Sequence, residues 1–166
     1  MPSGGAAKLL SMTTLRMDRA KRRRQRMTRR AFWRRFGRVE HEELEFKSSA
    51  NHVLESVVAM AMTRGGTIVV GVSDDRRLVG HPIGQAELDK VALVAHETQV
   101  ELETRCLSVG GAQVLAVTVP AVRDRIVTTP DGRMLRRLGS TNQPLRGDAV
   151  ARFVRSREPS GSPVPV

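Results

Sequence analysis

The sequence predicts an α+β fold: a mixed β-sheet with hairpins and two or three packing helices, preceded by a basic helical arm. A β-branched run at residues 67–72 (TIVVGV) predicts a central strand buried on both faces. Apolar residues recur at helical spacing over 51–63 and 85–97. Residues 100–109 and 112–119 flank a Gly-Gly pair, which predicts a hairpin. Because strands outnumber helices and come largely as hairpins, the α+β class follows.

Residues 1–38, called the arm below, hold the excess charge of the chain. The formal net charge is +11 over 166 residues. The arm contains 13 basic residues and one acid, a balance of +12, whereas the other 128 residues hold 15 basic and 16 acidic residues. This asymmetry indicates a polyanionic partner. Residues 12–36 lack Pro and Gly, so we expect a basic helix there, with Phe32, Trp33 and Phe36 docking its end onto the body.

The first half of the body, which we take as residues 39–157, alternates strand and helix. Residues 42–47 predict a short strand with alternate side chains facing the core. The helix over 51–63 is expected to stop at Gly65-Gly66, where the central strand begins. After that strand comes a polar turn and a short return at 78–80.

The second half of the body adds a further hairpin and a last helix. Residues 125–128 and 133–138 flank a Pro-Asp-Gly turn, which predicts that these two segments pair. Residues 148–156 predict a short final helix. The Pro/Ser/Gly-rich segment 158–166 is expected to be a disordered tail.

Several classes of protein are disfavoured by composition. Cys106 is the only cysteine, which excludes an intrachain disulfide framework or a zinc ribbon. No apolar stretch approaches 18 residues and the first residues lack a signal peptide's apolar region, so no membrane association and a cytoplasmic location are expected. Aromatic residues make up 3% of the chain, which argues against recognition by a row of stacked rings. No GxxxxGK[ST] loop occurs.

The densest group of candidate catalytic residues is acidic. Four carboxylates fall between Glu40 and Glu45, and Asp74 and Asp75 follow the central strand. Oxygen-rich clusters of this kind suit Mg²⁺ or Mn²⁺. The alternative is an acidic edge strand whose charges are solvated or paired with the arm. Lys47 is expected either to contact phosphate or to form a salt bridge with Glu45.

The order of these motifs resembles a known family. A strand carrying Glu45-Phe46-Lys47 is followed by a helix and then by the segment GGTIVVGV at 65–72. A short return through Val79-Gly80 and a late Arg137-Leu138-Gly139-Ser140 come next. In this arrangement the chain resembles the Schlafen AlbA-2 domain over about two-thirds of its length.

The resemblance implies an α+β nucleic-acid-binding domain, sometimes described as ATP-binding. In Schlafen proteins the domain also forms a metal-dependent endoribonuclease with two glutamates five residues apart and an aspartate. Carried over, this site implies that Glu40, Glu45 and either Asp74 or Asp75, with Asp74 preferred, are catalytic and hold Mg²⁺ or Mn²⁺. Lys47, two residues beyond Glu45, is then the candidate catalytic contact to phosphate. Repulsion among three carboxylates then predicts that removing one is neutral or stabilising to the metal-free fold.

The first hypothesis from the sequence is nevertheless a nucleic-acid-binding protein, for RNA or DNA, without required catalysis. The alternatives are the Schlafen-like endoribonuclease and an ATP-binding or protein-interaction module. A homo-oligomer is left open. Nucleic-acid contacts are expected from Arg22, Arg23, Arg24, Arg26, Arg29, Arg30, Arg34, Arg35 and Arg137.

Overall fold

The computed structural model describes residues 15–16, 24–80 and 82–157, and for 15–16 it describes the backbone alone. These residues form a mixed β-sheet with helices on both of its faces, which confirms the predicted α+β class. The strands are β1 Leu15–Arg16, β2 Gln25–Met27, β3 Leu44–Lys47, β4 Gly66–Val70, β5 Leu102–Val109, β6 Ala112–Val119, β7 Leu135–Leu138 and β8 Thr141–Pro144. The helices are α1 Arg29–Phe36, α2 Leu54–Ala61, α3 Gln85–Thr98 and α4 Asp148–Arg157.

The main sheet is built around β4 and β6. Strand β3 pairs with β4 in parallel, β4 with β6 antiparallel, and β6 with β5 antiparallel. Both β1 and β2 lie parallel to β5 on its outer edge. Ile68, Val69 and Val70 of β4 are fully buried, as expected for a central strand covered on both faces.

Each face of the sheet has its own apolar core. On one face α2 and α3 pack through residues such as Val57, Val58 and Val91. On the other face α1 packs through Phe32, which is fully buried among Leu44, Phe46 and other sheet residues. The rings at the end of the arm therefore dock on the body, as the sequence predicted. The predicted arm thus contributes a packed layer to the domain.

The prediction of one basic helix over 12–36 is wrong in the residues that the structure describes. Residues 15–16 and 25–27 are short strands on β5, and the helix is confined to Arg29–Phe36, where the Thr28 hydroxyl caps the Ala31 N–H. An uncovered strand edge offers unpaired backbone groups, which β1 and β2 satisfy. A long run of like charges weakens the competing helix.

The prediction that 125–128 pairs with 133–138 is also wrong. Strand β7 pairs instead with β8 across a two-residue turn, Gly139-Ser140. Gly139 has φ of +58°, and glycine is favoured at the first central position of such a hairpin turn. The Pro-Asp-Gly turn is instead stabilised by local hydrogen bonds. The Thr129 hydroxyl donates to the Asp131 carboxylate and accepts from the Arg133 N–H.

The predicted 51–63 helix is shorter than expected. A 3₁₀ turn at Ala50–His52 precedes α2, and its cap is the Ser49 hydroxyl. The helix over 85–97, the 100–119 hairpin and the final helix are confirmed to within two residues at each boundary. Among the described helices, none is both long and apolar enough to cross a membrane.

Candidate nucleic-acid interface

Glu45, the centre of the predicted carboxylate site, lies in the interior between two cations. It is 6% exposed. Its Oε1 is 2.7 Å from Lys47 Nζ, and its Oε2 contacts Arg137 Nη1. Glu45 and Lys47 share one side of β3 because alternate residues of a strand face the same way. The intervening Phe46 packs in the α1 core, so the predicted alternation is confirmed.

The Arg137 side chain links Glu45 to several other buried or partly buried groups. The side chain is 2% exposed. Its Nη1 donates to Asn142 Oδ1 at 2.8 Å, and Asn142 in turn donates to Ser56 Oγ of α2 at 3.0 Å. Its Nη2 donates to the carbonyl oxygens of His41 at 3.3 Å and Leu44 at 3.2 Å. Arg137 was expected to contact phosphate, but the structure commits its terminal donors to the interior.

Glu40 is held on the other side of β3. Its Oε1 accepts from the Phe46 backbone N–H at 2.9 Å, and its Oε2 is 3.4 Å from Arg76 Nη2. The Arg76 guanidinium lies over the Phe46 ring at 5.0 Å and donates to the Arg38 carbonyl. Glu40 therefore belongs to the α1 side, whereas Glu45 faces α2.

The two aspartates after β4 are part of a surface turn. Asp74 is exposed, and its carbonyl oxygen accepts from Arg76 Nη1 at 3.2 Å. Asp75 accepts a hydrogen bond from the Ser73 hydroxyl and lies 3.0 Å from Arg77 Nε. The Ser73 hydrogen bond, and then the Arg77 charge, hold the pKa of Asp75 below its usual value.

These positions do not fit the predicted Mg²⁺ or Mn²⁺ site. Within 24–80 and 82–157, no three His, Cys, Asp or Glu side chains are grouped closely enough to hold an ion. Glu40 and Glu45 are each neutralised by arginine, on different sides of one strand. A cation would have to displace Arg137 from the interior to reach Glu45. Lys47 takes the salt-bridge alternative, with Glu45 as its partner.

The arginines of α1 are arranged in a different way. The side chains that anchor the helix are aromatic: Phe32 is fully buried, while Trp33 and Phe36 are half-buried. The exposed side chains of the helix are Arg29, Arg30, Arg34 and Arg35. No acid lies in its first turn. Because the aromatic face of α1 packs against the sheet, the opposite face of the helix exposes a row of arginine side chains.

A groove of about 720 Å³ opens beside α1, between the helix and the turn after β4. Its lining residues are Arg29, Arg30, Trp33, Arg38, Arg76, Arg77 and Leu78. The Arg38 guanidinium lies 4.3 Å from the centre of the Trp33 ring, which fixes it at the groove wall. We call this the α1 groove.

Sequence reasoning found only part of this surface. It named Arg29 and Arg30 because they fall in the basic arm. It missed Arg76 and Arg77, which are brought to α1 by the turn after β4, and nothing in their local pattern signals this. Arg24 and Arg26 are exposed near the start of the described chain, while Arg22 and Arg23 lie outside the described residues.

Comparison with known families assigns the fold. The family model "Schlafen, AlbA_2" matches residues 40–146. The chain belongs to the Schlafen AlbA_2 family. The match spans every strand from β3 to β8 and helices α2 and α3, whereas α1 and α4 lie outside it. No curated protein matches the chain.

A solved structure shares this AlbA_2 fold. The DIP2311 protein from Corynebacterium diphtheriae is 22% identical, with a TM-score of 0.57. The alignment covers 73% of this chain and 28% of that protein. The chain thus spans under a third of the length of this relative, and at this identity the likeness shows the fold alone.

Proposed function

We propose that this AlbA_2 protein binds nucleic acid, with the phosphate backbone held along the α1 groove and the exposed face of α1. The observation that carries the proposal is the convergence of five arginines, from two separate parts of the chain, around one open groove. Nucleic-acid backbones are bound chiefly through arginine and lysine contacts to phosphate oxygens. The charge asymmetry between arm and body supports the same partner.

The arginines of the α1 groove that form no ion pair with a described acid are the ones available to phosphate. Arg76 is paired with Glu40 and Arg77 with Asp75. Among the described residues, no acid pairs with Arg29, Arg30 or Arg38. Binding phosphate costs these arginines little free energy, because no ion pair with a carboxylate has to be broken first. They position the ligand without reading its sequence.

Trp33 is half-buried at the groove wall, where Arg38 covers its ring. A single ring already engaged in this way offers no platform for successive bases. The contacts available in the α1 groove are therefore contacts to the backbone. This arrangement suits binding with little dependence on base sequence, for RNA or DNA alike.

No step of this function passes through a metal ion. The metal-dependent endoribonuclease stays a hypothesis that rests on the family resemblance, and the residues implied for it do not fit the site in this chain. Mg²⁺ or Mn²⁺ as a cofactor likewise stays a hypothesis that rests on the family resemblance. The proposed nucleic-acid binding requires neither a metal ion nor catalysis.

A double substitution tests the α1 groove. Arg30→Ala with Arg38→Ala removes two exposed cations that make no ion pair within the described residues. The matched control is Arg105→Ala with Arg155→Ala, two exposed arginines outside the described grooves with the same loss of charge. Fluorescence polarisation with a labelled single-stranded oligonucleotide measures affinity against salt. Loss of two phosphate contacts should reduce the slope of log K against log[salt] by about 1.4 for a single strand.

The control should keep the wild-type slope. If the Arg30 and Arg38 variant binds as tightly as wild type at every salt concentration, the α1 groove does not hold the backbone. If both doubles lose the same affinity, the effect is one of net charge and the groove has no special role.

A further inference from the structure

A second arginine-rich groove lies where the end of α2, strand β7 and helix α4 meet. Its volume is about 830 Å³. Five arginines contribute to its lining: Arg64, Arg123, Arg136, Arg137 and Arg157. These residues come from four separate stretches of the chain, and apart from Arg137 the sequence analysis assigned no role to them. We call this the α4 groove.

The charges of the α4 groove are unbalanced. Glu42 is the one acid among its described lining residues, and it is paired with Arg64 at 3.3 Å. In the described part of the chain no acid pairs with Arg123, Arg136 or Arg157. Several cations are thus gathered in one groove without a counter-charge, an arrangement that favours an anionic ligand.

The position of Arg157 adds to this imbalance. Its Nη2 donates to the Met62 carbonyl at 2.6 Å, its Nη1 donates to the Val122 carbonyl, and the guanidinium covers the Phe153 ring at 4.9 Å. Burial lowers the pKa of Arg157, and repulsion from Arg123 lowers it further. The fold therefore holds one cation close to another, and a bound anion would relieve the repulsion.

The wall of the groove also contains an unused donor. Arg137 lines the groove, yet its Nε is buried and has no hydrogen-bond partner within 24–80 and 82–157. Buried donors without a partner are rare in folded proteins, and a bound water or ion is one explanation of such a donor. This observation is independent of the surface charges.

We propose that the α4 groove is a binding site for a phosphate group, separate from the α1 groove. Arginine presents planar, paired donors that match phosphate oxygens, and several of them around one pocket suit a dianionic group. Arg123 and Arg136 supply the free donors at the rim, while Arg157 is fixed by two carbonyls. The ligand is either a free phosphate compound or a phosphate of a nucleic-acid backbone.

Calorimetric titration of the full-length protein with pyrophosphate, at constant ionic strength, tests the site. Arg123→Ala with Arg136→Ala removes two exposed rim cations and leaves the buried network intact. Losing charge-assisted contacts should weaken pyrophosphate binding about tenfold or more. Arg105→Ala with Arg155→Ala, the control used for the α1 groove, should bind as wild type.

The same variants titrated with an oligonucleotide identify the source of the phosphate. If the Arg123 and Arg136 double loses pyrophosphate binding alone, the ligand is a free phosphate compound. If its oligonucleotide affinity falls as well, the groove holds a backbone phosphate. Unchanged binding of both probes, no saturable binding by wild type, or equal losses in the control would overturn the proposal. The Arg30 and Arg38 variant reports separately on the α1 groove, so the two proposals fail independently.

Discussion

Arg137 on β7 and Glu45 on β3 form a buried ion pair that ties the small β7–β8 hairpin to the edge of the main sheet. Glu45 is 6% exposed and Arg137 is 2% exposed. The pair is completed by Lys47, Asn142 and two backbone carbonyls. The carboxylate that the family resemblance marks as catalytic is therefore a structural element of this fold.

The first prediction is that Glu45→Gln destabilises the protein. The substitution leaves the Arg137 guanidinium in the interior without its counter-charge, and breaking a buried pair costs about 3–5 kcal/mol. Since glutamine keeps an oxygen acceptor, we expect about 3 kcal/mol, at the lower end of that range. Urea denaturation measures it.

Glu43→Gln is the matched control for this variant. Glu43 is exposed, and its carboxylate makes no ion pair with a described residue. Its loss should change the free energy of unfolding by no more than about 0.5 kcal/mol. The repulsion argument from the sequence expects Glu45→Gln to be neutral or stabilising. Equal stability of the two variants would favour that argument and contradict the structural role.

The second prediction concerns manganese. Because Glu40 and Glu45 are occupied by arginines and no third acid joins them, we expect millimolar Mn²⁺ to leave a structured RNA intact. We also expect Mn²⁺ to leave the melting temperature unchanged. Gel analysis of the RNA and a thermal melt measure the two. Cleavage that depends on Mn²⁺ and disappears in Glu45→Gln would restore the endoribonuclease hypothesis.

Most of the body was predictable from the sequence because its patterns are local. The β-branched run of β4, the helical stripes of α2 and α3 and the β5–β6 hairpin each carry their signal within about a dozen residues. Strand β8 carries none, since Thr-Asn-Gln-Pro lacks the β-branched, alternating pattern of a strand. Its pairing depends on the Gly139 turn and on Arg137, not on its own composition.

The helix predicted for the arm is wrong, and the surroundings of the predicted carboxylate site were not foreseen, because the partners of both segments are distant along the chain. The sequence around residues 25–27 contains no signal that the edge of β5 is open for pairing. Four acids near β3 look like a ligand cluster until Arg76 and Arg137, both far along the chain, are placed against them. The density of acidic residues directed attention to the segment at β3. The role of those acids, however, depends on the arginines that the fold places beside them.

The third prediction tests whether α1 belongs to the folded core. Phe32 is fully buried against the sheet. Phe32→Ala should lower the free energy of unfolding by about 3–5 kcal/mol, the usual cost of truncating a buried phenylalanine. Arg34→Ala on the exposed face of the same helix should change it by less than about 0.5 kcal/mol. Similar values for the two variants in urea denaturation would show that α1 is not docked.

The fourth prediction concerns the turn from α2 into β4. Gly65 and Gly66 have φ of +72° and +150°, a region of backbone conformation that favours glycine. A Cβ on Gly66 would lie 2.5 Å from the Glu43 carbonyl oxygen. Gly66→Val should therefore cost more than the 1–2 kcal/mol or so of an unfavourable backbone conformation alone.

Gly80→Ala is the control for this turn, because, its chain neighbours aside, no atom of the described residues lies within 4 Å of the added Cβ. It should leave the melting temperature within a few degrees of wild type. Oligonucleotide affinity of the folded Gly66→Val protein should stay unchanged. Lost affinity at wild-type stability would instead place the turn against the ligand.

The last prediction separates the cations of residues 1–23 from those of the packed α1 layer. A chain that starts at Val39 is a poor test, because it removes Phe32 from the core. A chain that starts at Arg24 keeps β2 and α1. If Arg29, Arg30 and Arg38 each hold a phosphate, it should retain a slope of log K against log[salt] of about −2 to −3. The full chain should be steeper, because residues 1–23 add six basic residues and one acid. A flat slope in the shorter chain would place the anchor in residues 1–23, whereas an equal slope in both would assign it wholly to the folded domain.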